Sequence, residues 1–260
     1  MLHPALSRHI DACNNITLPA GRTAFLLGQD HVGWIDPEIL PALLRFPQIR
    51  PEPGRITLTE PAALPGIAET LAREGFYLFR DEAFDVRADV DQPSLATIDR
   101  GALPSFGVTA VGVHLNGLVR KADGLHLWVA RRAANKPLDP GKLDHLAAGG
   151  VAAGMGALET LVKEAGEEAA IPPDLAGRAE LKARLHYTML REEGLRRDTL
   201  FCYDLELPED FTPVAVDGEV ESFELWPIKR VRDCVAETDD FKFNVNLVLV
   251  DLFARLGMAS

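Results

Sequence analysis

Apolar residues recur along this chain with two different spacings, which predict helices and strands in one mixed protein. Apolar positions three and four residues apart are typical of a helix with one buried face. This spacing predicts helices at 2–13, 67–74, 175–185, 227–235 and 246–256, and one of about four turns ending near residue 171. Alternating or continuous apolar runs predict strands at 23–27, 32–35, 55–58, 76–79, 83–86, 106–120, 125–132, 143–151, 186–191, 199–207 and 218–226.

Turn and capping residues refine these predicted ends. Asp36 followed by Pro37 predicts a helix start, because a capping side chain and a proline at the first helical position are both favoured there. Asn244 is predicted to cap the last helix. Asp123-Gly124 predicts a hairpin turn between the two strands that flank it.

The order of these elements predicts an α+β (mixed) protein with two parts. Residues 91–104 are polar and bounded by prolines, and they are predicted to be a linker. We therefore expect a small α+β N-terminal domain at residues 1–104 and a second domain at residues 105–260. The first part has no metal-ligand spacing and no nucleophile constellation. It is expected to shape the substrate site or to form the contact of a homodimer.

Composition and charge exclude several classes of partner. The chain has 260 residues, of which 47% are apolar, and a net charge of -12. Nucleic acids and anionic membranes bind through clustered Lys and Arg, so neither is an expected partner. The three cysteines are far apart and include no C-x-x-C pair, which suits reduced thiols in a cytoplasm. No long apolar segment is present, so neither export nor a membrane span is expected.

The main candidate for chemistry is an acidic helix that follows a glycine-rich turn. Glu164, Glu167 and Glu168 are spaced i, i+3 and i+4, which places three carboxylates on one helix face. A second face carries the predicted apolar stripe: Leu158, Leu161, Val162, Ala165 and Ala169. Like charges and glycines weaken such a helix, so a bound divalent cation bridging to a phosphate ligand would compensate. The alternative is an ordinary solvated acidic face.

The same stretch resembles the Nudix box, the signature of the Nudix hydrolases, G-x5-E-x7-R-E-U-x-E-E-x-G-U with U apolar. Gly149 matches its first glycine, Glu164 the acid after the arginine, Glu167 and Glu168 the paired acids, and Ile171 the last apolar position. Three positions depart from the pattern: Met155 stands for the first Glu, Lys163 for Arg, and Ala170 for the last Gly. Because the three acids taken as metal ligands remain, we interpret the stretch as a variant box.

Further segments resemble the Nudix subfamily related to thiamine pyrophosphokinase, whose members carry an N-terminal domain of similar length. These segments are 32–35, 79–82, 106–107, 114–117, 131–132, 136, 140–144, 148–150, 203–208, 217–221 and 241–244. The resemblance implies a Nudix α/β/α sandwich after the N-terminal domain. It also implies Mg²⁺, with Mn²⁺ as an alternative, and a small-molecule diphosphate substrate. That substrate would be thiamine diphosphate or its oxidised forms, hydrolysed to a monophosphate.

The resemblance also suggests roles for individual residues. The metal ligands would be Glu164, Glu167, Glu168 and Gly149. Lys163 would orient a carboxylate. The residue pattern itself places Glu219 and Glu221 on the acidic face of the predicted strand 218–226, where they would complete the cation shell or activate water; the alternative is a solvent-facing edge strand. Basic residues crowd ahead of the box, and the predicted substrate ligands are Arg131, Lys136, Lys142 and Gly150; the alternative for the basic group is a solvated loop.

Four other functions are alternatives to a hydrolase of thiamine diphosphate. A dinucleotide-binding fold would need a third glycine where Glu159 stands, and the lysine of a P-loop is missing. An isomerase of isopentenyl diphosphate would need a catalytic cysteine near the box, where none lies. A non-catalytic sensor with a degraded box and a hydrolase of another nucleoside diphosphate derivative stay open.

Overall fold

The computed structural model describes residues 2–260, which form eight α-helices, two short 3-10 helices and thirteen strands. The helices are α1 (Pro4–Cys13), α2 (Leu40–Leu43), α3 (Leu64–Arg73), α4 (Leu103–Phe106), α5 (Ala157–Ala169), α6 (Pro173–Ala176), α7 (Ile228–Glu237) and α8 (Phe243–Arg255). The strands are β1 (Thr23–Leu27), β2 (Asp30–Ile35), β3 (Ile49–Glu52), β4 (Arg55–Leu58), β5 (Ala83–Val86), β6 (Ala96–Asp99), β7 (Thr109–Lys121), β8 (Gly124–Arg132), β9 (Leu143–Asp144), β10 (Ala147–Gly150), β11 (Glu180–Arg191), β12 (Gly194–Glu206) and β13 (Val220–Pro227). Among these residues no helix is both long and apolar enough to cross a membrane.

The N-terminal part contains two small sheets. Strands β2, β1, β4 and β3 form a sheet in which β1 and β4 run parallel, and β5 pairs with β6 in an antiparallel ribbon. Both sheets and α3 bury their apolar faces in one cluster, which includes Phe25, Ile56 and Ile98. This cluster ends at Val108, just before the first long strand of the second part.

The second part is a seven-stranded mixed sheet between two layers of helices. Its main path is β11-β12-β7-β8-β13, with β10 beside β7 and β9 beside β8. On one face, Leu161 and Ala165 of α5 pack with Val113 and Leu115 of the sheet. The other face packs against α1, α7 and α8. This arrangement confirms the predicted mixed fold with an α/β/α sandwich.

Several predicted elements are wrong. Residues 175–185 do not form one helix, because α6 ends at Ala176 and β11 pairs with β12 from Glu180 onward. Residues 76–79 form no strand, since the chain there is irregular and leads into backbone N–H groups that bond to the Asp99 carboxylate. Residues 91–104 are not a bare linker, because β6, a 3-10 helix and the start of α4 occupy much of them and bury Ile98 and Leu103.

Two predicted caps and one predicted core residue also differ from the structure. α2 begins at Leu40, and the Asp36 carboxylate instead accepts the Glu38 N–H and pairs with Arg22. The N-cap residue of α8 is Lys242, so Asn244 lies inside the first turn. Leu158 is exposed, because the buried face of α5 turns toward Thr160 and Glu168.

Candidate metal and phosphate site

The glycine-rich turn and α5 bring the box acids against the sheet. Gly149 lies in β10 opposite Val113 of β7, so its position is fixed by strand pairing. Gly154 then adopts φ +78°, a left-handed conformation that glycine takes without steric cost. α5 begins at Ala157 after the turn, and the Glu159 carboxylate accepts the Gly156 N–H at 3.3 Å. The sequence thus delivers the acids of α5 directly behind the strand that carries Gly149.

Glu168 is the most buried of the three box acids. Its Oε2 accepts the N–H of Ala148 at 2.9 Å, and only 8% of the residue is exposed. Burial raises the pKa of Glu168 to about 8, and the charges of Asp144, Glu164 and Glu219 act in the same direction against the Ala148 hydrogen bond. A buried carboxylate held among other carboxylates is favourable to cation binding.

Glu164 lies directly against the backbone of Gly149. A Cβ at Gly149 would lie 2.5 Å from both Cγ and Cδ of Glu164, so only glycine leaves room for this side chain. Burial raises the pKa of Glu164, the neighbouring Lys163 opposes that shift, and Glu167 and Glu219 add to it. The Gly149 backbone and the Glu164 carboxylate are therefore adjacent, as a shared cation would require.

Glu167 and Lys163 occupy the exposed side of the same helix. Lys163 Nζ donates to Glu167 at 2.5 Å and to Glu164 at 3.3 Å. These contacts raise the pKa of Lys163, with the Glu167 hydrogen bond as the largest cause. Lys163 therefore contacts two of the box acids, as the predicted orienting role requires.

Glu219 is one of the two acids outside α5 that were predicted to take part in the site. It is exposed just before β13, and its carboxylate forms an ion pair with Lys136. Its charge adds to the raised pKa of both Glu164 and Glu168. Glu221 is exposed at the irregularity where Val220 and Ser222 pair with adjacent residues of β8.

Two predicted substrate ligands, Arg131 and Lys142, lie apart from the acids of α5, whereas Gly150 follows Gly149 in β10. Arg131 and Lys142 share a cavity of about 500 Å³, whose lining includes Leu143 and Trp226. These two apolar residues belong to the cluster under α7 and α8, whereas α5 packs in the cluster on the other sheet face. The predicted basic residues are therefore in two places: Arg131 and Lys142 share the cavity, and Lys136 forms an ion pair with Glu219.

A buried polar cluster was missed by sequence reasoning. His114 of β7, Asp144 of β9 and His145 are all buried, with ligand-type atoms within 4.8 Å of one another. The two rings meet at Nδ1–Nδ1 3.0 Å, and His145 Nε2 has no hydrogen-bond partner among the described residues. The adjacent Asp144-His145 pair was the available signal, but His114 comes from a strand some thirty residues earlier.

The charges around this cluster argue against a divalent cation there. Asp144 pairs with Arg132 at 2.6 Å and lies 3.8 Å from Lys242 Nζ. Burial alone would raise the pKa of Asp144, but these cations hold it well below its usual range. Burial lowers the pKa of His145 to about 4 and that of His114 well below its usual value, so both rings are neutral. The cluster is a neutralised polar core.

The box acids fit a divalent cation better. Glu164 and Glu168 are partly or fully buried and carry raised pKa values; Glu164 lies against Gly149, and Glu168 accepts the N–H of the preceding residue, Ala148. Hard cations such as Mg²⁺ prefer oxygen ligands of this kind, together with phosphate oxygens. Only one cationic side chain, Lys163, contacts the acids of α5 within 4.0 Å among the described residues.

The chain is similar in sequence to several known proteins. Residues 5–110 match a family model described as a domain of unknown function (DUF4743). The chain is 42% identical over 178 residues to Nudix hydrolase 20, chloroplastic, of Arabidopsis thaliana, which covers 68% of this chain and 48% of that protein. It is also 42% identical to Nudix hydrolase 24, chloroplastic, of the same plant, over 69% of this chain and 49% of that protein.

Both relatives are named as Nudix hydrolases. The chain spans about half the length of the curated relatives that it matches. A solved Nudix domain of NrtR from Shewanella oneidensis, complexed with ADP ribose, is 15% identical with a TM-score of 0.45, over 58% of this chain and 90% of that chain. The stretch from Gly149 to Ile171 is the one that resembles the Nudix box.

Proposed function

We propose that this chain is a divalent-cation-dependent hydrolase that cleaves a diphosphate linkage and releases a monophosphate. The observation that carries the proposal is that two acids of α5 meet the end of β10: Glu164 lies against Gly149, and Glu168 accepts the Ala148 N–H. The similarity to two Nudix hydrolases supports the same reaction class. Mg²⁺ is the proposed cation, and Mn²⁺ is the alternative.

The proposed cation ligands are Glu164, Glu167, Glu168 and the Gly149 backbone. When bound, the cation would neutralise phosphate oxygens and lower the pKa of an attacking water. The side chains of the protein would orient the cation ligands and take a proton from the attacking water. Lys163 holds Glu167 and Glu164 in place through its two contacts.

Two acids are proposed for proton transfer and one lysine for phosphate binding. Glu219, whose charge adds to the raised pKa of Glu164 and Glu168, is the first proposed base, and Glu221, two residues along the chain, is the second. Lys136, which pairs with Glu219, is the proposed ligand of a phosphate oxygen. Arg131, Lys142 and Gly150 stay predicted substrate ligands.

The proposed substrate is thiamine diphosphate or one of its oxidised forms. This choice rests on the resemblance to the thiamine pyrophosphokinase-related subfamily, because the spacing of the acids fits any diphosphate. A cationic thiazolium ring also suits a protein with a net charge of -12. The three cysteines are free thiols, which supports a reducing compartment such as the cytoplasm.

The test is product analysis by phosphorus NMR after incubation with Mg²⁺ and a panel of diphosphates. The panel contains thiamine diphosphate, oxidised thiamine diphosphate, a nucleotide sugar, a dinucleotide and a nucleoside triphosphate. Monophosphate released only from the thiamine compounds is the expected result. Turnover of another member would keep the hydrolase and refute the thiamine substrate. A panel without Mg²⁺-dependent turnover would refute catalysis and favour a binding protein.

A further inference from the structure

The N-terminal part contacts the glycine-rich turn of the box through one short strand. The N–H of Ala153 donates to the carbonyl of Ala83 at 2.8 Å, and the N–H of Gly154 donates to Asp85 Oδ2 at 3.0 Å. Both acceptors belong to β5, which lies about seventy residues earlier in the sequence. Two backbone donors in the turn are therefore bound by the N-terminal part.

Phe84 packs between these two contacts. Its side chain is only 3% exposed, and its ring lies so close to Gly150 that a Cβ there would be 2.6 Å from Cζ. The Arg100 guanidinium lies over the ring, 5.9 Å from its centre. The Phe84 ring therefore packs against Gly150, and the ring is itself part of the N-terminal core cluster.

Asp85 is held as firmly as Phe84. Arg87 Nη2 donates to Asp85 Oδ2 at 2.7 Å, and Gly154 donates to the same oxygen. Burial alone would raise the pKa of Asp85, but hydrogen bonds from Ser94, Gly154 and Arg87 outweigh it and keep the pKa below its usual range. The carboxylate is therefore ionised and remains a strong acceptor for the turn.

The turn needs outside support because its own sequence does not fix its shape. Gly149 and Gly150 are paired with β7, but the turn of residues 151–156 that follows them contains Gly154 and Gly156, and glycine has more backbone freedom than any other residue. This turn leads into α5, so its shape decides whether Glu164 stays against Gly149 in the proposed cation site. A shift of this backbone would move a carbonyl and a carboxylate relative to each other.

We propose that Phe84 and Asp85 are positioning residues, through which the N-terminal part holds the glycine-rich turn in the conformation that presents Gly149 and Glu164 to the cation. This inference rests on the proposed function of the box. It gives the segment matched by the domain of unknown function a role in cation binding. The turn and the N-terminal part would act as one unit.

The first test measures Mn²⁺ affinity by electron paramagnetic resonance in the full chain. Phe84→Ala and Asp85→Asn should each weaken Mn²⁺ binding by about tenfold, the effect typical of residues that support metal ligands. Ile56→Ala is the matched control, because Ile56 is buried in the same N-terminal core but lies in the other sheet. An Mn²⁺ affinity lowered equally by Ile56→Ala would overturn the proposal.

A double-mutant cycle tests the contact itself. Gly150→Ala should weaken Mn²⁺ binding in the wild-type background, because the new methyl group meets the Phe84 ring. In the Phe84→Ala background the ring is absent, so Gly150→Ala should weaken Mn²⁺ binding less than it does in the wild type. Strictly additive effects would show that the ring does not position the turn.

Amide hydrogen exchange separates this inference from the proposed function. A wild type that binds no Mn²⁺ would refute the cation site. The positioning role would then be judged by the backbone amides of residues 149–156, which Phe84→Ala should make exchange faster than Ile56→Ala does. Equal exchange in the two variants would refute the positioning role, whatever the activity of the protein.

Discussion

Ala170 shows how one departure from the Nudix box affects the backbone. It stands where the pattern has its last glycine, directly after α5, and it adopts φ +54°. The left-handed conformation costs an L-residue about 1–2 kcal/mol, which glycine avoids. The departure therefore reduces stability at the helix end without touching the acids.

Ala170→Gly is expected to raise the free energy of unfolding. The gain should be about 0.5–1 kcal/mol, because the relief of backbone strain exceeds the greater entropy of glycine in the unfolded chain. Urea denaturation measures it. Ala157→Gly at the start of the same helix is the control and should not stabilise. A loss of stability in Ala170→Gly would contradict the claim that the backbone of Ala170 is strained.

His145 gives a pH dependence of stability with a definite sign. Burial lowers its folded-state pKa to about 4, below the unfolded value of about 6.5. The unfolded state therefore binds the proton first, and stability is full above pH 6.5 and is lost as pH falls toward 4. Between pH 6.5 and 5 this residue alone contributes a loss of about 2 kcal/mol.

His145→Gln should remove that part of the acid sensitivity. The fall in the free energy of unfolding between pH 6.5 and 5 should be about 2 kcal/mol smaller than in the wild type. Urea denaturation at both pH values measures the difference. His3→Gln is the control, because His3 is exposed. An unchanged pH dependence in His145→Gln would contradict a neutral buried ring.

At the scale of elements, β10 and α5 meet through Gly149 and Glu164. Gly149→Ala would place a methyl group 2.5 Å from the Glu164 carboxylate carbon, and the flexible end of that side chain would move away. We expect kcat/KM to fall by roughly 10–100-fold, because moving the Glu164 carboxylate should cost as much as removing a residue that supports a metal ligand. The Tm should change little. Enzyme kinetics and thermal denaturation separate the two effects.

Gly166→Ala is the matched control for that variant. It lies in the same helix, and a Cβ there meets only the Ile171 carbonyl oxygen, at 3.8 Å. It should keep activity and gain up to about 1 kcal/mol of stability, because alanine favours a helix. Equal activity losses in the two variants would indicate a general effect on α5 and contradict the steric argument.

The elements also show what the sequence can and cannot reveal. The box helix was predictable, because Leu161 and Ala165 recur on one face, but the burial of Glu168 beside that face was not. The strand β11 was not, because its conformation depends on pairing with β12 and not on its own periodicity. The polar cluster of His114 and Asp144 was hidden for a similar reason: its members come from separate strands that only the folded sheet brings together.

At the scale of the whole molecule, the two ends of the described chain pack against each other. The N–H of His3 donates to the carbonyl of Ala259 at 2.8 Å, and Leu6 of α1 is buried with Val231 of α7 and Phe253 of α8. The first helix thus packs on the second part of the chain. The predicted boundary between residues 104 and 105 stays a prediction for the segment that follows α1.

Leu6→Ala should destabilise the second part of the molecule. Loss of a fully buried leucine costs about 2–5 kcal/mol through lost burial and the cavity that remains. Hydrogen exchange should locate the weakening in α7 and α8. Leu44→Ala, at a residue that is 46% exposed, is the control and should change the free energy of unfolding by less than about 0.5 kcal/mol. Weakening confined to the N-terminal sheets would contradict this packing.

The central claim is that the acids of α5 hold the cation that activates diphosphate hydrolysis. The most direct measurement is the Mg²⁺-dependent release of monophosphate by the wild type, Glu168→Gln and Glu206→Gln, where Glu206 is an exposed glutamate that pairs with Arg120. We predict that Glu168→Gln loses on the order of 100-fold or more in kcat/KM, because cation stabilisation of the transition state is worth several kcal/mol. Glu206→Gln should retain wild-type activity. Full activity in Glu168→Gln would contradict the account.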